Sequence, residues 1–323
     1  MSDFENRIDL VALSEKVGQL KDEGSKALIG QGEMLDLILT AMFAGGHVLI
    51  EGVPGIAKTL SAKLVAKLVE AEFRRIQFTP DLMPSDVLGT SVFNPKTSAF
   101  DYKKGPVFTN LLLIDEINRA PAKTQAALFE VMEERQVSND GETHLLDELF
   151  MVLATQNPIE QEGTYRLPEA QLDRFIFKIV VDYPETGDES KILQMTSRNS
   201  SHHKLGFINS VIEKNQVVAL RNQLESIMMQ DSLIDYIVNL MAKTRDHHSL
   251  YLGASPRASI DLMKASKAYA AIQGRDFVTP EDIKRLFRPV VEHRIILSPE
   301  AELQGITIRE VTDQLLQQVE VPK

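Results

Sequence analysis

Residues 47–60 read HVLIEGVPGIAKTL, and the change of period inside this stretch decides the architecture. His47 to Glu51 is a short apolar run with strand character, GVPGIAKT (52–59) is a glycine-bearing turn, and from Lys58 to Glu70 apolar residues recur at helical spacing. Strand, tight loop and helix in that order are the setting a phosphate-binding loop requires. Gly52 and Gly55 allow a backbone turn whose N–H groups face phosphate oxygens, and the helix start adds its positive end. Lys58 is placed to neutralise β- and γ-phosphate charge, and Thr59 to give its hydroxyl to Mg²⁺. Val53, Pro54, Ile56 and Leu60 complete the candidate binding loop, with Ala57 where the usual pattern has glycine. Alanine suits that position if its backbone is right-handed helical, because the Cβ penalty applies to positive φ.

Outward from this stretch the same alternation repeats. FRRIQF (73–78), NLLLIDE (110–116), LFMVLAT (149–155) and FIFKIVVDY (175–183) are short apolar runs bounded by turn residues, and Pro121 to Glu134 is helical in pattern. Leu111 to Ile114 are apolar without alternation, as in strands buried on both faces. Alternating strands and helices imply an α/β fold with a parallel sheet under helical layers. Residues 90–109 and 135–149 interrupt the alternation with turn chemistry between β-prone residues, as in hairpins. Residues 4 to about 44 read as largely helical. From about residue 190 onward only helical patterns appear, which predicts a second, all-helical domain.

Several polar groups collect at strand ends. LLLIDE (111–116) ends in two carboxylates at the edge where α/β proteins bind ligands. Asp115 can hold Mg²⁺ through its water shell, while Glu116 can orient or deprotonate an attacking water. Asn157, after the strand in LFMVLATQNP, can donate to a γ-phosphate and accept from the nucleophilic water. Arg174 emerges from the short helix in LPEAQLDRF (167–175), with Pro168 at its first position. It can stabilise γ-phosphate charge, and a helix end facing outward would more naturally reach the site of an adjacent subunit. Asp173 or Glu169 are its structural alternatives, and Arg166 is a second basic candidate. In GASPRA (253–258), Ser255 reads as an N-cap and Pro256 as the first helical residue, so Arg257 falls in the first turn against the helix dipole and needs a partner, either phosphate or Asp261.

Composition limits the rest. The chain has 323 residues, 43% hydrophobic and 25% charged, enough for about two domains. With no cysteine there is no thiolate chemistry or cysteine-ligated metal. A net charge of -11 disfavours nucleic acid as the main partner, and the candidate hairpin at 135–149 carries Asp140, Glu142, Asp147 and Glu148 against Arg135 alone. No membrane span and no signal peptide is legible, so a cytoplasmic protein is expected. The pairs His202–His203 and His247–His248 read as solvated surface, and Met228, Met229 and Met263 as packing of the helical domain.

Taken together, GVPGIAKT, LLLIDE, TQNP, LPEAQLDRF and GASPRA, in this order and spacing, resemble the AAA+ ATPases. IDEINRAPAKTQAALFEVMEE (114–134) and TQNPIEQEGTY (155–165) make the resemblance closest to the MoxR family, over roughly residues 25 to 290. That family commonly has Ala where Ala57 stands. The resemblance implies an AAA+ P-loop core at 1–190, with a five-stranded parallel sheet ordered 5-1-4-3-2, a helix 2 insert at about 90–109 and a pre-sensor 1 hairpin at about 135–149. It implies a helical lid at 191–323. Lys58 and Thr59 would belong to Walker A, Asp115 and Glu116 to Walker B, Asn157 would be sensor 1, Arg174 an arginine finger and Arg257 sensor 2, acting in its own subunit or on a neighbour's nucleotide. Such proteins bind ATP and Mg²⁺, form homo-oligomeric rings that are commonly hexamers, and act on protein clients, von Willebrand factor A domain proteins among them. An ATP hydrolase that remodels or assembles protein partners is therefore the expected function. A nucleic-acid motor or a nucleotide-gated scaffold with little turnover are the alternatives.

Overall fold

The structure is a computed structural model that describes residues 10–53, 57–157, 165, 167–198 and 205–322. Two helices open it, α1 (Leu10–Ser25) and α2 (Gly32–Ala44), and Gly45 ends α2 in the left-handed region at φ 74°. The α/β part then runs β1 (His47–Gly52), α3 (Lys58–Leu68), β2 (Phe73–Gln77), α4 (Pro84–Leu88), β3 (Gly89–Asn94), β4 (Ala99–Lys104), β5 (Leu111–Asp115), α5 (Ala122–Glu134), β6 (Gln136–Asn139), β7 (Glu142–Leu145), β8 (Met151–Gln156), α6 (Glu169–Leu172) and β9 (Phe175–Val181). The helical part comprises α7 (Thr186–Arg198), α8 (Lys214–Gln223), α9 (Asp231–Arg245), β10 (Leu250–Leu252), α10 (Pro256–Ile272), α11 (Pro280–Val291), β11 (Ile296–Leu297), α12 (Pro299–Leu303) and α13 (Ile308–Gln318).

The five apolar runs form one parallel sheet in the order β2-β5-β8-β1-β9. Numbered among themselves in chain order, these strands give the 5-1-4-3-2 order that the resemblance implies. Burial explains the absence of alternation in β5. Leu111 and Leu113 pack with α1, α2 and α3, whereas Leu112 and Ile114 pack with Leu128, Phe129 and Met132 of α5. A period-2 strand covered by helices on both faces has no polar side.

The two interruptions are antiparallel hairpins, β3 with β4 and β6 with β7, and both pairs stand outside the central sheet. They are joined to one another. Ser91 Oγ donates to Asp140 Oδ2 at 2.5 Å, Asn139 Nδ2 donates to Ser91 Oγ at 2.8 Å, and the Tyr102 and His144 rings stack with centroids 4.3 Å apart. On the first hairpin Phe93 and Phe100 pair edge to face, and Phe100 is 70% exposed.

Three expectations need correction. The second domain is helical but contains one short antiparallel pair, β10 with β11. These segments have three and two residues and no buried run, so they leave no periodic signal in the sequence. His247 is buried and stacks on His248 with centroids 4.7 Å apart, so that pair is not simply solvated; His202 and His203 lie outside the described residues. Met229 and Met263 pack against the core as expected, but Met228, whose backbone forms a β-bridge to Phe277, has its side chain 64% exposed. Among the described residues no helix is long and apolar enough to cross a membrane.

Candidate nucleotide site

β1 delivers its C-terminal end into the loop that Lys58 closes as the first residue of α3. The Lys58 Nζ donates to the Gly52 carbonyl at 2.5 Å, returning the ammonium to the end of β1. Val53, Thr59 and Leu60 are half-buried around it, and Pro54, Gly55 and Ile56 lie outside the described residues. Ala57 departs from expectation: its φ is +62° and ψ +17°, in the left-handed region. The position therefore needs what glycine offers, and alanine occupies it at a cost of about 1 kcal/mol. Ala57→Gly is expected to raise nucleotide-free stability by up to about 1 kcal/mol, and Ala57→Val to lower it by at least as much, since a β-branched residue fits this region worst. Thermal unfolding of the three proteins checks both signs.

β5 and β8 carry the polar groups beside that loop. Asp115 is buried; its Oδ2 accepts from Arg75 Nε at 2.5 Å and its Oδ1 from Thr155 Oγ1 at 3.2 Å. The same Thr155 hydroxyl accepts from the Glu116 backbone N–H at 3.0 Å, tying the two strands at their ends. Glu116 has φ 57°, a left-handed turn that swings its carboxylate out of the strand direction. There Gln77 Nε2 donates to Oε2 at 2.7 Å, and Arg119 Nε approaches the same oxygen at 3.0 Å. Asn157 is buried immediately after β8, where Gln156 pairs with Glu51 of β1, so it borders the loop. Lys58, Thr59, Asp115, Glu116 and Asn157 thus share the C-terminal edge of the sheet.

Arg75, Gln77 and Thr155 were not legible as site residues. A signal exists in FRRIQF: residues 75 and 77 share one side of β2 by the period of 2, and the register sets Gln77 opposite Asp115.

Arg174 is elsewhere. Phe175 begins β9 opposite His47, the first residue of β1, so Arg174 stands at the N-terminal edge of the parallel strands. Six residues of β1 separate the two edges, about 20 Å at 3.3 Å per residue. Sequence position before a strand places a side chain at the strand's start, so Arg174 does not share the edge of Lys58. Pro168 also proves to be the N-cap of α6 and not its first helical residue, and Arg166 lies outside the described residues.

Arg174 Nη1 donates to the Phe129 carbonyl at 3.1 Å and ion-pairs with Glu133 in the last turn of α5. Arg257, in the first turn of α10 as expected, meets the same Glu133 at 3.2 Å. Two arginines from different domains therefore converge on one carboxylate. Partial burial and the nearby Arg257 charge both lower the Arg174 pKa from its ordinary value. Around them lies a cavity of about 260 Å³ whose charged lining is Arg135, Arg174, Arg257, Lys264, Glu133 and Asp261. His47 forms part of its wall. Its Nδ1 accepts from Val152 N at 2.9 Å, its Nε2 donates to the Met132 carbonyl at 3.1 Å, and burial pushes its pKa down to about 3. The imidazole is a neutral bridge between β8 and α5.

Asp173 and Asp261, two of the local partners expected for the arginines, meet another residue. Arg294, with a side chain 1% exposed, meets Asp173 Oδ1 at 2.8 Å through Nε and Asp261 Oδ2 at 2.5 Å through Nη2; its Nη2 also donates to the Asp173 and Phe175 carbonyls. Asp173 accepts from Ser255 Oγ at 2.9 Å as well. Arg294 therefore ties the end of α11 to both the Arg174 and the Arg257 segments. Arg294→Met would leave Asp173 and the half-buried Asp261 without their nearest cation, and a loss of about 2 kcal/mol or more is expected. Urea unfolding measures it.

Residues 47–177 match a family model described as the ATPase family associated with various cellular activities, AAA, and residues 242–318 match the AAA lid domain. The uncharacterized protein YeaC of Bacillus subtilis is 44% identical over 306 residues, 95% of either chain. The Mycobacterium tuberculosis protein called chaperone MoxR1 is 41% identical over 310 residues, which are 93% of this chain and 81% of that one. A crystal structure of a candidate ATPase from Cytophaga hutchinsonii superposes with a TM-score of 0.90 at 42% identity, covering 97% of both chains. With the sheet order of the fold, adjacent carboxylates at the end of β5, two matching AAA family models and relatives of this identity over nearly the whole chain, the protein belongs to the MoxR family of AAA+ ATPases.

Proposed function

We propose that the chain is one subunit of a ring, most simply a hexamer, in which Mg²⁺-dependent ATP hydrolysis at subunit junctions remodels or activates a protein client. The separation of the polar groups supports this reading most directly. Lys58, Asp115, Glu116 and Asn157 occupy one edge of the sheet, whereas Arg174 and Arg257 stand about 20 Å away at the other. No subunit can bring its own Arg174 to its own phosphate loop. Head-to-tail association lets one subunit's arginine edge complete the next subunit's loop edge, and such contacts close into rings.

In this reading the backbone of residues 52–57 and Lys58 hold the phosphates. Thr59 and Asp115 are oxygen donors, with no sulfur or nitrogen among them, which suits a hard divalent cation. Bound with ATP, Mg²⁺ would neutralise charge on the β- and γ-phosphates. Arg75 and Thr155 fix the Asp115 carboxylate. Glu116 takes the proton of the attacking water, which requires it to loosen from Gln77 and Arg119, because both hold the same carboxylate oxygen. Asn157 orients the water against the γ-phosphate. Arg174 and Arg257 of the neighbour stabilise the charge that develops during transfer.

The client is a protein in this reading, one with a von Willebrand factor A domain being the first to test, and the compartment is the cytoplasm. The exposed Phe93 and Phe100 suit protein contact, and the exposed Asp140, Glu142, Asp147 and Glu148 would repel a phosphate backbone. Turnover with and without Mg²⁺, sedimentation with and without ATP, and turnover with added single-stranded DNA test the proposal together. Metal-dependent turnover with ATP-dependent assembly supports it. Stimulation by single-stranded DNA alone would make the protein a nucleic-acid motor.

A further inference from the structure

Glu133 contacts both arginines at this edge, and hydrolysis in the neighbour does not use it. It lies in the last turn of α5, where the helix dipole disfavours a carboxylate, and Arg257 lies in the first turn of α10, where the dipole disfavours a cation. Two charges, each misplaced on its own helix, are matched to one another across the domain boundary. Local stability does not account for that arrangement, since exchanging either residue for a neutral one would suit its own helix better. The Glu133 carboxylate also takes Arg174, so one oxygen faces each guanidinium. A carboxylate gripped by two arginines has the charge sign and the acceptor geometry of a phosphoryl group between the same two side chains.

We propose that Glu133 is a latch: within a lone subunit it occupies Arg174 and Arg257 in place of the neighbour's γ-phosphate, and must be displaced before the junction becomes active. This rests on the reading that the two arginines act on an adjacent subunit. The phosphate carries more charge than the carboxylate and wins the exchange only when a nucleotide-loaded neighbour is docked. The released carboxylate is then repelled by the phosphates that replaced it. The latch sits at a junction of moving parts. Arg135, the next residue but one, donates to the Gly45 and Glu148 carbonyls at 2.8 and 3.1 Å, and the β6–β7 hairpin starts at Gln136. Displacing Glu133 therefore pulls on the root of that hairpin, and junction occupancy reaches the surface that would meet a client.

The test follows ATP turnover per subunit against protein concentration, with Mg²⁺ and saturating ATP, for the wild type, Glu133→Gln and Glu134→Gln as a control for loss of one charge. Glu133→Gln is expected to reach half of its own maximal rate at a protein concentration about threefold or more below that of the wild type, because assembly no longer has to break the latch. Glu134→Gln should shift less. A Glu133→Gln midpoint equal to or above the wild-type one, a shift matched by Glu134→Gln, or loss of activity at every concentration overturns the latch. The adjacent-subunit reading is judged separately, by mixing Arg174→Ala with Glu116→Gln subunits. Recovery of activity in that mixture without a midpoint shift in Glu133→Gln removes the latch and keeps the junction; no recovery removes the junction itself.

Discussion

Glu116→Gln lowers steady-state ATP turnover by about 10²- to 10⁴-fold, the range associated with a positioned general base, while ATP binding persists. The glutamine keeps the shape and can still accept from Gln77, so β5 and its left-handed turn are preserved. It loses the ion pair with Arg119, an exposed contact worth at most about 1 kcal/mol. Catalytic loss and folding loss are therefore separable. Equilibrium nucleotide binding and thermal unfolding report the second, and phosphate release reports the first. Because ATP stays bound, the variant is expected to hold the nucleotide-loaded state, and partners that co-purify with it and not with Lys58→Ala are candidates for the proposed client. Turnover within tenfold of the wild type would show that Glu116 is not the base.

If Arg174 acts on the neighbour's nucleotide as proposed, Arg174→Ala alone reduces turnover by about 10³-fold or more. The decisive result comes from mixing. Neither Arg174→Ala nor Glu116→Gln is active by itself, but in an equal mixture about one junction in four joins an intact loop edge to an intact arginine edge, as a heterologous interface allows. Activity approaching a quarter of the wild-type rate is expected from two inactive proteins. A residue acting on its own subunit's nucleotide gives none. Simple dilution of wild type with Arg174→Ala is less informative, since an Arg174→Ala subunit still offers a working loop to its neighbour.

Much of this site was readable because its residues sit on the strands that define the fold. Leu111 to Ile114 announce a strand covered on both faces, and the carboxylates that follow are carried to the sheet edge by the backbone itself. Arg75, Gln77 and Thr155 were not readable, because their roles come from strand pairing between segments some 40 residues apart and not from any local pattern. Arg294 was hidden for the same reason: its partners, Asp173 and Asp261, come from two other segments. Ala57 shows a different limit. Residue identity said that the site tolerates a Cβ, and only the backbone angle shows the strain with which it does so.

The bonds between the two hairpins bear on how the family diversifies. Ser91, Asn139 and Asp140, with the stacked Tyr102 and His144, make one surface from segments that lie on either side of β5 and α5. A change in either hairpin alters the footing of the other, so the contact positions of the pair are expected to covary among relatives. Exchanging client preference between two family members would then require grafting both hairpins at once, with the catalytic strand between them left in place.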